Sequence, residues 1–145
     1  AARVRLADVS GVEGYPNLGD LAAARRYLAL AVAGYERAAA ADPADGDLVS
    51  RFALVLTHQA SVAASAGDDD GAVAANRRAV GAMEALVARH PTNADYRIDL
   101  ATGYGALRSS LAAANRPDSA IAVGRRGVAA FEALRAADPR NAIVT

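Results

Sequence analysis

Few side chains in this chain can do chemistry near neutral pH, and their spacing limits what that chemistry could be. His58 and His90 are the two histidines, and there is no cysteine. Without cysteine the chain has no thiol nucleophile, no thiolate metal site and no disulfide framework, which leaves its redox compartment open. Neither histidine has a second His or a well-spaced carboxylate to complete a metal site. His90 precedes Pro91 where equivalent positions hold Asp42 and Asp138, so it reads as a solvated, helix-terminal residue. His58 lies mid-helix near Thr57 and Ser61 and is the better candidate for a binding contact. The run Asp68-Asp69-Asp70 has the clustered carboxylates that calcium favours, but a calcium loop alternates its ligands and adds a bidentate Glu. Consecutive carboxylates instead suit a helix start, where they accept from free amides and meet the positive end of the helix dipole. Ser61 and Ser109-Ser110 have neither a partner base nor a nucleophile-elbow glycine pattern. The expectation is a protein with no catalytic residue, no metal and no cofactor.

Composition narrows the class further. Sixteen acidic residues balance sixteen basic ones, so the chain lacks the electrostatic footprint of a nucleic-acid binder or a polybasic membrane binder. All the basic residues are arginine, which we attribute to a GC-rich coding bias. The doublets Arg25-Arg26, Arg77-Arg78 and Arg125-Arg126 read as solvated helix surface pairing with nearby acids rather than as a phosphate-reading stripe. Alanine fills 40 of 145 positions, and its helix propensity predicts an almost wholly helical domain with closely spaced helices. No stretch reaches the roughly 18 to 20 continuous apolar residues that span a bilayer, and no secretory signal is visible.

The elements that must position these residues follow an internal repeat. Asp42-Pro43, His90-Pro91 and Asp138-Pro139 recur at a constant interval of about 48 residues. The same interval separates Glu36, Glu84 and Glu132, and likewise Ala24, Ala72 and Ala120. Gly19 matches Gly67, and Tyr35 matches Met83 and Phe131. Each unit reads as two antiparallel helices. The second unit, about 42–89, has a helix over about 48–66 capped by Asp45 or Asp47, then one starting at the Asp run and ending near His90-Pro91. The third, about 90–137, repeats this over about 93–114 and 117–137, with Pro117 in a first turn where its missing N–H costs nothing. The first, about 1–41, has a short helix over about 3–10, a turn-rich insertion at 11–18, and a helix over about 21–41. Residues 138–145 read as the start of a fourth unit. Incomplete units at both ends lead us to expect a piece of a longer chain.

The second half of each unit resembles the tetratricopeptide pattern. In order, Gly67-Asp68, Ala72, Val73, Asn76, Ala79 and His90-Pro91 fit it, followed by Asn115, Ala120, Ile121, Gly124, Gly127 and Pro139. Asn76 and Gly124 stand where that family usually has an aromatic. The unit is also longer than the family's common length of about 34 residues. Gly14-Tyr15-Pro16-Asn17-Leu18-Gly19-Asp20 followed by Ala24 resembles the first repeat in the C-terminal tetratricopeptide regions of certain bacterial serine/threonine kinases. No kinase motif is present, so that resemblance implies the non-catalytic sensor or docking region alone.

The family implies an all-α solenoid of three helical hairpins spanning 1–145, with first helices lining a concave groove. Its groove positions map to Arg5 and Asp8, then Leu54, Thr57, His58, Ser61 and Ser65, then Thr102, Ala106 and Ser109, flanked by Arg108. The Lys, Asn and Arg of the family's carboxylate clamp are absent from those positions, so chaperone-tail recognition is not implied. The expected function is a protein-interaction scaffold, the regulatory region of a larger bacterial signalling protein, holding a protein or peptide partner. Its compartment would be the cytoplasm, or extracytoplasmic behind a transmembrane kinase. The alternatives are head-to-tail stacking into homo-oligomers or fibres through exposed terminal repeats, and small-ligand sensing in the groove.

Overall fold

Side-chain caps and left-handed residues cut the chain into helices at the expected places. The computed structural model describes residues 21–137, which form α1 (Leu21–Ala41), α2 (Gly46–Ser65), α3 (Asp69–Arg89), α4 (Ala94–Ala113) and α5 (Pro117–Ala137). The expected helix at 3–10, the insertion at 11–18, the stub at 138–145, and with them Arg5 and Asp8, lie outside the described residues. Asp45 starts α2 by accepting from the Leu48 amide at 3.0 Å, and Asn93, its repeat counterpart, starts α4 by accepting from the Tyr96 amide at 3.1 Å. Asp68 caps α3 through the Gly71 amide at 2.9 Å, so the acidic run opens a helix.

The ends of α2 and α4 share a second device. Gly67 has φ +73° and Asn115, again its counterpart in the next unit, has φ +55°. These left-handed residues turn the chain back, so that the Asp68 amide reaches the Ala63 carbonyl at 2.9 Å and the Arg116 amide reaches the Leu111 carbonyl at 2.8 Å. Glycine takes that conformation without a Cβ penalty, and asparagine is among the few other residues that tolerate it.

Connectors of three or four residues join helices about 30 Å long, so each helix folds back antiparallel on the one before it. The chain is all-α with a helical repeat-like architecture in which each helix packs mainly on its sequence neighbours. The core runs along these seams. Leu28, Leu56, Leu86 and Leu111, one from each of α1 to α4, are fully buried, with Val55, Val62, Val73, Val80 and Met83 around them. Phe52 and Val87 are only half-buried. Ala60 and Ala63 of α2 pack on Ala72 and Ala75 of α3 in a cluster without large side chains, which places the two backbones close together beside their tight connector.

The repeat spacing reappears in polar contacts. Arg78 of α3 donates to Glu36 of α1 at 2.7 Å, crossing α2, and its guanidinium lies over the Phe52 ring at 5.8 Å. Arg126 of α5 donates to Glu84 of α3, crossing α4, and lies over the Tyr104 ring at 4.8 Å. Arg25 pairs with Asp68 at 3.0 Å, and Arg116 with Asp70 at 2.6 Å. Each half-exposed pair contributes about 0–1 kcal/mol. The arginine doublets therefore divide, with Arg25, Arg78 and Arg126 tying helices together.

Tyr104 gives this network a pH signature. Its buried hydroxyl donates to Glu84 at 2.7 Å. Burial first, and then the Glu84 hydrogen bond and charge, push the phenol up to about 12. The unfolded chain then releases this proton first, near pH 10, so stability falls as pH rises from about 10 towards 12. Tyr104→Phe should cost about 1 kcal/mol at neutral pH and flatten part of that alkaline loss. Urea denaturation on either side of pH 10 checks both, and an unchanged alkaline slope would contradict the assignment.

Candidate functional site

α2 and α4, whose positions correspond at the sequence interval of about 48 residues, touch each other directly across α3. Between them lies a cavity of about 350 Å³ whose lining includes Leu54 and Thr57 of α2, Met83 of α3, and Asp99 and Thr102 of α4. Helical periodicity builds this wall: Leu54 and Thr57 sit one turn apart on α2, as do Asp99 and Thr102 on α4. Ala79 and Met83 form an apolar floor, and Leu54 is 54% exposed although it is a large aliphatic residue. Four of the expected groove positions, Leu54, Thr57, Thr102 and Ala106, therefore meet in one depression.

The other expected residues are distributed elsewhere. His58 is half-buried, Ser61, Ser65 and Ser109 are exposed, and none of the four lines this depression. Arg108 lies against Gly124 on the opposite side of α4 and belongs to a separate cavity shared with α5. Several hydroxyls already serve their own helix. Thr57 donates to the Ala53 carbonyl at 3.1 Å, Ser61 to Thr57 at 3.2 Å and Ser109 to Gly105 at 3.1 Å. Such back-bonded hydroxyls keep lone pairs to accept with, but have committed their proton.

Arg51, Ser50 and Asp99 join the groove without having been singled out in the sequence. A signal for two of them was present, because Arg51 and Asp99 are one repeat apart and one turn before Leu54 and Thr102. The Ser50 hydroxyl is buried and has no hydrogen-bond partner. Burial, and then the nearby Asp95 charge, raise the Asp99 carboxyl above its usual range. Neither Arg51 nor Asp99 forms an ion pair among the described residues. The depression thus offers an apolar floor, a guanidinium and a carboxyl with no ion pair among the described residues, and a buried hydroxyl with no hydrogen-bond partner among them. Among these groups there is no nucleophile–base pair.

Among the described residues, no three His, Cys, Asp or Glu side chains gather to hold a metal ion. His90 ends α3 and meets the Tyr96 ring edge-on at 5.7 Å. No described helix is long and apolar enough to cross a membrane. No family model, curated protein or solved structure matches this chain.

Proposed function

We propose that this chain is a non-catalytic protein-interaction module that holds a peptide segment in the depression between α2 and α4. The observation that carries this reading is the meeting of two register pairs, Arg51 with Asp99 and Leu54 with Thr102, over Met83, with the buried Ser50 hydroxyl unsatisfied. A short peptide would bury an apolar side chain on Leu54 and Met83 and place polar groups against Arg51 and Asp99. In the wider form of the proposal, the chain is a tetratricopeptide-like solenoid of three hairpins. It would serve as the sensor or docking region of a larger bacterial signalling protein such as a serine/threonine kinase. The repeat register and the resemblance in its second helices support that form.

A random-peptide display selection on the immobilised chain tests the groove. Enriched peptides should lose at least about tenfold in affinity for Leu54→Asp, on the scale of a buried interfacial contact, and bind Ser65→Arg as they bind the parent chain. Both positions are exposed helix surface, so circular dichroism should stay unchanged. Peptides that ignore Leu54→Asp would place binding elsewhere, and a selection that enriches nothing would remove the proposal.

A further inference from the structure

The outer face of α5 is built from positions that are buried one unit earlier. Val73, Val80 and Met83 of α3 are 2%, 4% and 4% exposed, and Val80 packs towards Gly103 of α4. Their counterparts in the next unit, Ile121, Val128 and Phe131, are 55%, 59% and 36% exposed. They border a cavity of about 680 Å³, with Gly124, Arg125 and Glu132 alongside. Single exposed apolar residues are ordinary, but three on one stripe of one helix, beside a cavity, mark a surface that another element covers. Arg126 reaches Glu84, while Arg125 and Glu132 form no ion pair or hydrogen bond among the described residues.

The order of these residues along α5 points to the occupant. Arg125 lies three residues before Val128 and Glu132 four after it, both on one side of the apolar stripe, about 60° and 40° round the helix. Gly124 lies four before and Phe131 three after, on the other side by similar angles. A two-fold axis level with Val128, perpendicular to the helix, reverses a second α5 while keeping each flank on its own side. Arg125 of one copy then faces Glu132 of the other to within one residue's rise, about 1.5 Å. By the same rotation Phe131 faces Gly124, whose missing side chain admits the Arg108 stem, and the ring would pack on that stem. Val128 meets Val128, and Ile121 meets the aliphatic stem of Arg135. Every group on the stripe finds an opposite or complementary one.

We propose that α5 is a self-recognition helix through which two copies of this chain pair antiparallel about a two-fold axis at Val128, with reciprocal Arg125–Glu132 ion pairs. The contact is isologous, so it closes at the dimer. It leaves the α2–α4 depression open on another face and is independent of the peptide-binding reading. One helix per copy is a small interface, so we expect weak association, with a dissociation constant on the order of 10 to 100 µM.

Sedimentation velocity across that concentration range tests it. The parent chain should pass from monomer to dimer and no further. Arg125→Glu and Glu132→Arg each place like charges opposite each other twice, and each alone should weaken association by at least about tenfold. Mixed in equal amounts, the two variants should form a heterodimer, because each then supplies the charge the other lacks. Both sites are exposed, and unchanged circular dichroism would confirm that the fold persists. A monomer throughout, growth beyond the dimer as in head-to-tail stacking, or a mixture no more associated than its two components would each overturn the proposal.

Discussion

Truncating Leu86 to alanine should lower stability by about 3 kcal/mol, within the range for a fully buried leucine. Leu86 is completely inaccessible in α3, the helix that packs on both α2 and α4. Its removal takes away apolar burial and also opens a cavity, because its neighbours are held in place by two helical seams. Much of the surrounding core is alanine and valine, whose short side chains have little freedom to swing into the gap. For a domain of this size the loss amounts to about 10 °C in melting temperature. The control is Leu30→Ala, where the leucine is 49% exposed and the cost should stay within about 0.5 kcal/mol. Thermal unfolding followed by circular dichroism checks both, and equal shifts would mean that the seam at Leu86 is not packed as described.

The second large effect concerns the one buried polar residue among those described, Asn76. Its side-chain amide donates to the Ser110 hydroxyl at 2.8 Å and reaches towards the Ala106 carbonyl at 3.5 Å, joining α3 to α4. Asn76→Asp preserves the shape but turns the donor into an ionised acceptor facing a carbonyl. We expect a loss of about 3 kcal/mol at neutral pH, moderated by rotation of the Ser110 hydroxyl to donate. Desolvation raises the folded-state value of the new carboxyl above its unfolded value. The deficit is therefore full above the folded value and shrinks as pH falls through it, since the protonated acid can donate to Ser110 again. Denaturation of parent and variant at pH 7 and pH 4 measures the gap. A gap that does not narrow in acid would show that the residue is solvated.

The helices were legible in the sequence because their boundaries rest on local chemistry. Asp45, Asp68 and Asn93 cap through amides three residues away, Pro117 begins a helix, and Gly67 ends one with a positive φ. Such signals act within one turn and need no partner from elsewhere in the chain. The groove was half legible. The family resemblance implied that Leu54, Thr57, Thr102 and Ala106 share a face, and following the repeat register one turn earlier would have added Arg51 and Asp99. Arg108, expected to flank the groove, comes two residues or about 200° after the lining residue Ala106, which carries its side chain to the α5 side of α4.

Local chemistry alone therefore specifies that the described residues are helical, with helix ends correct to within about two residues. Periodicity and capping are properties of neighbours in the chain. Which equivalent positions are covered was settled by the packing of whole helices. Val80 and Val128 occupy the same place in their units, yet one is buried and the other 59% exposed. The same packing selected which arginine of each doublet meets a carboxylate two helices away. Burial and ion pairing depend on what lies opposite a residue across a helix seam, and a one-dimensional pattern does not specify that.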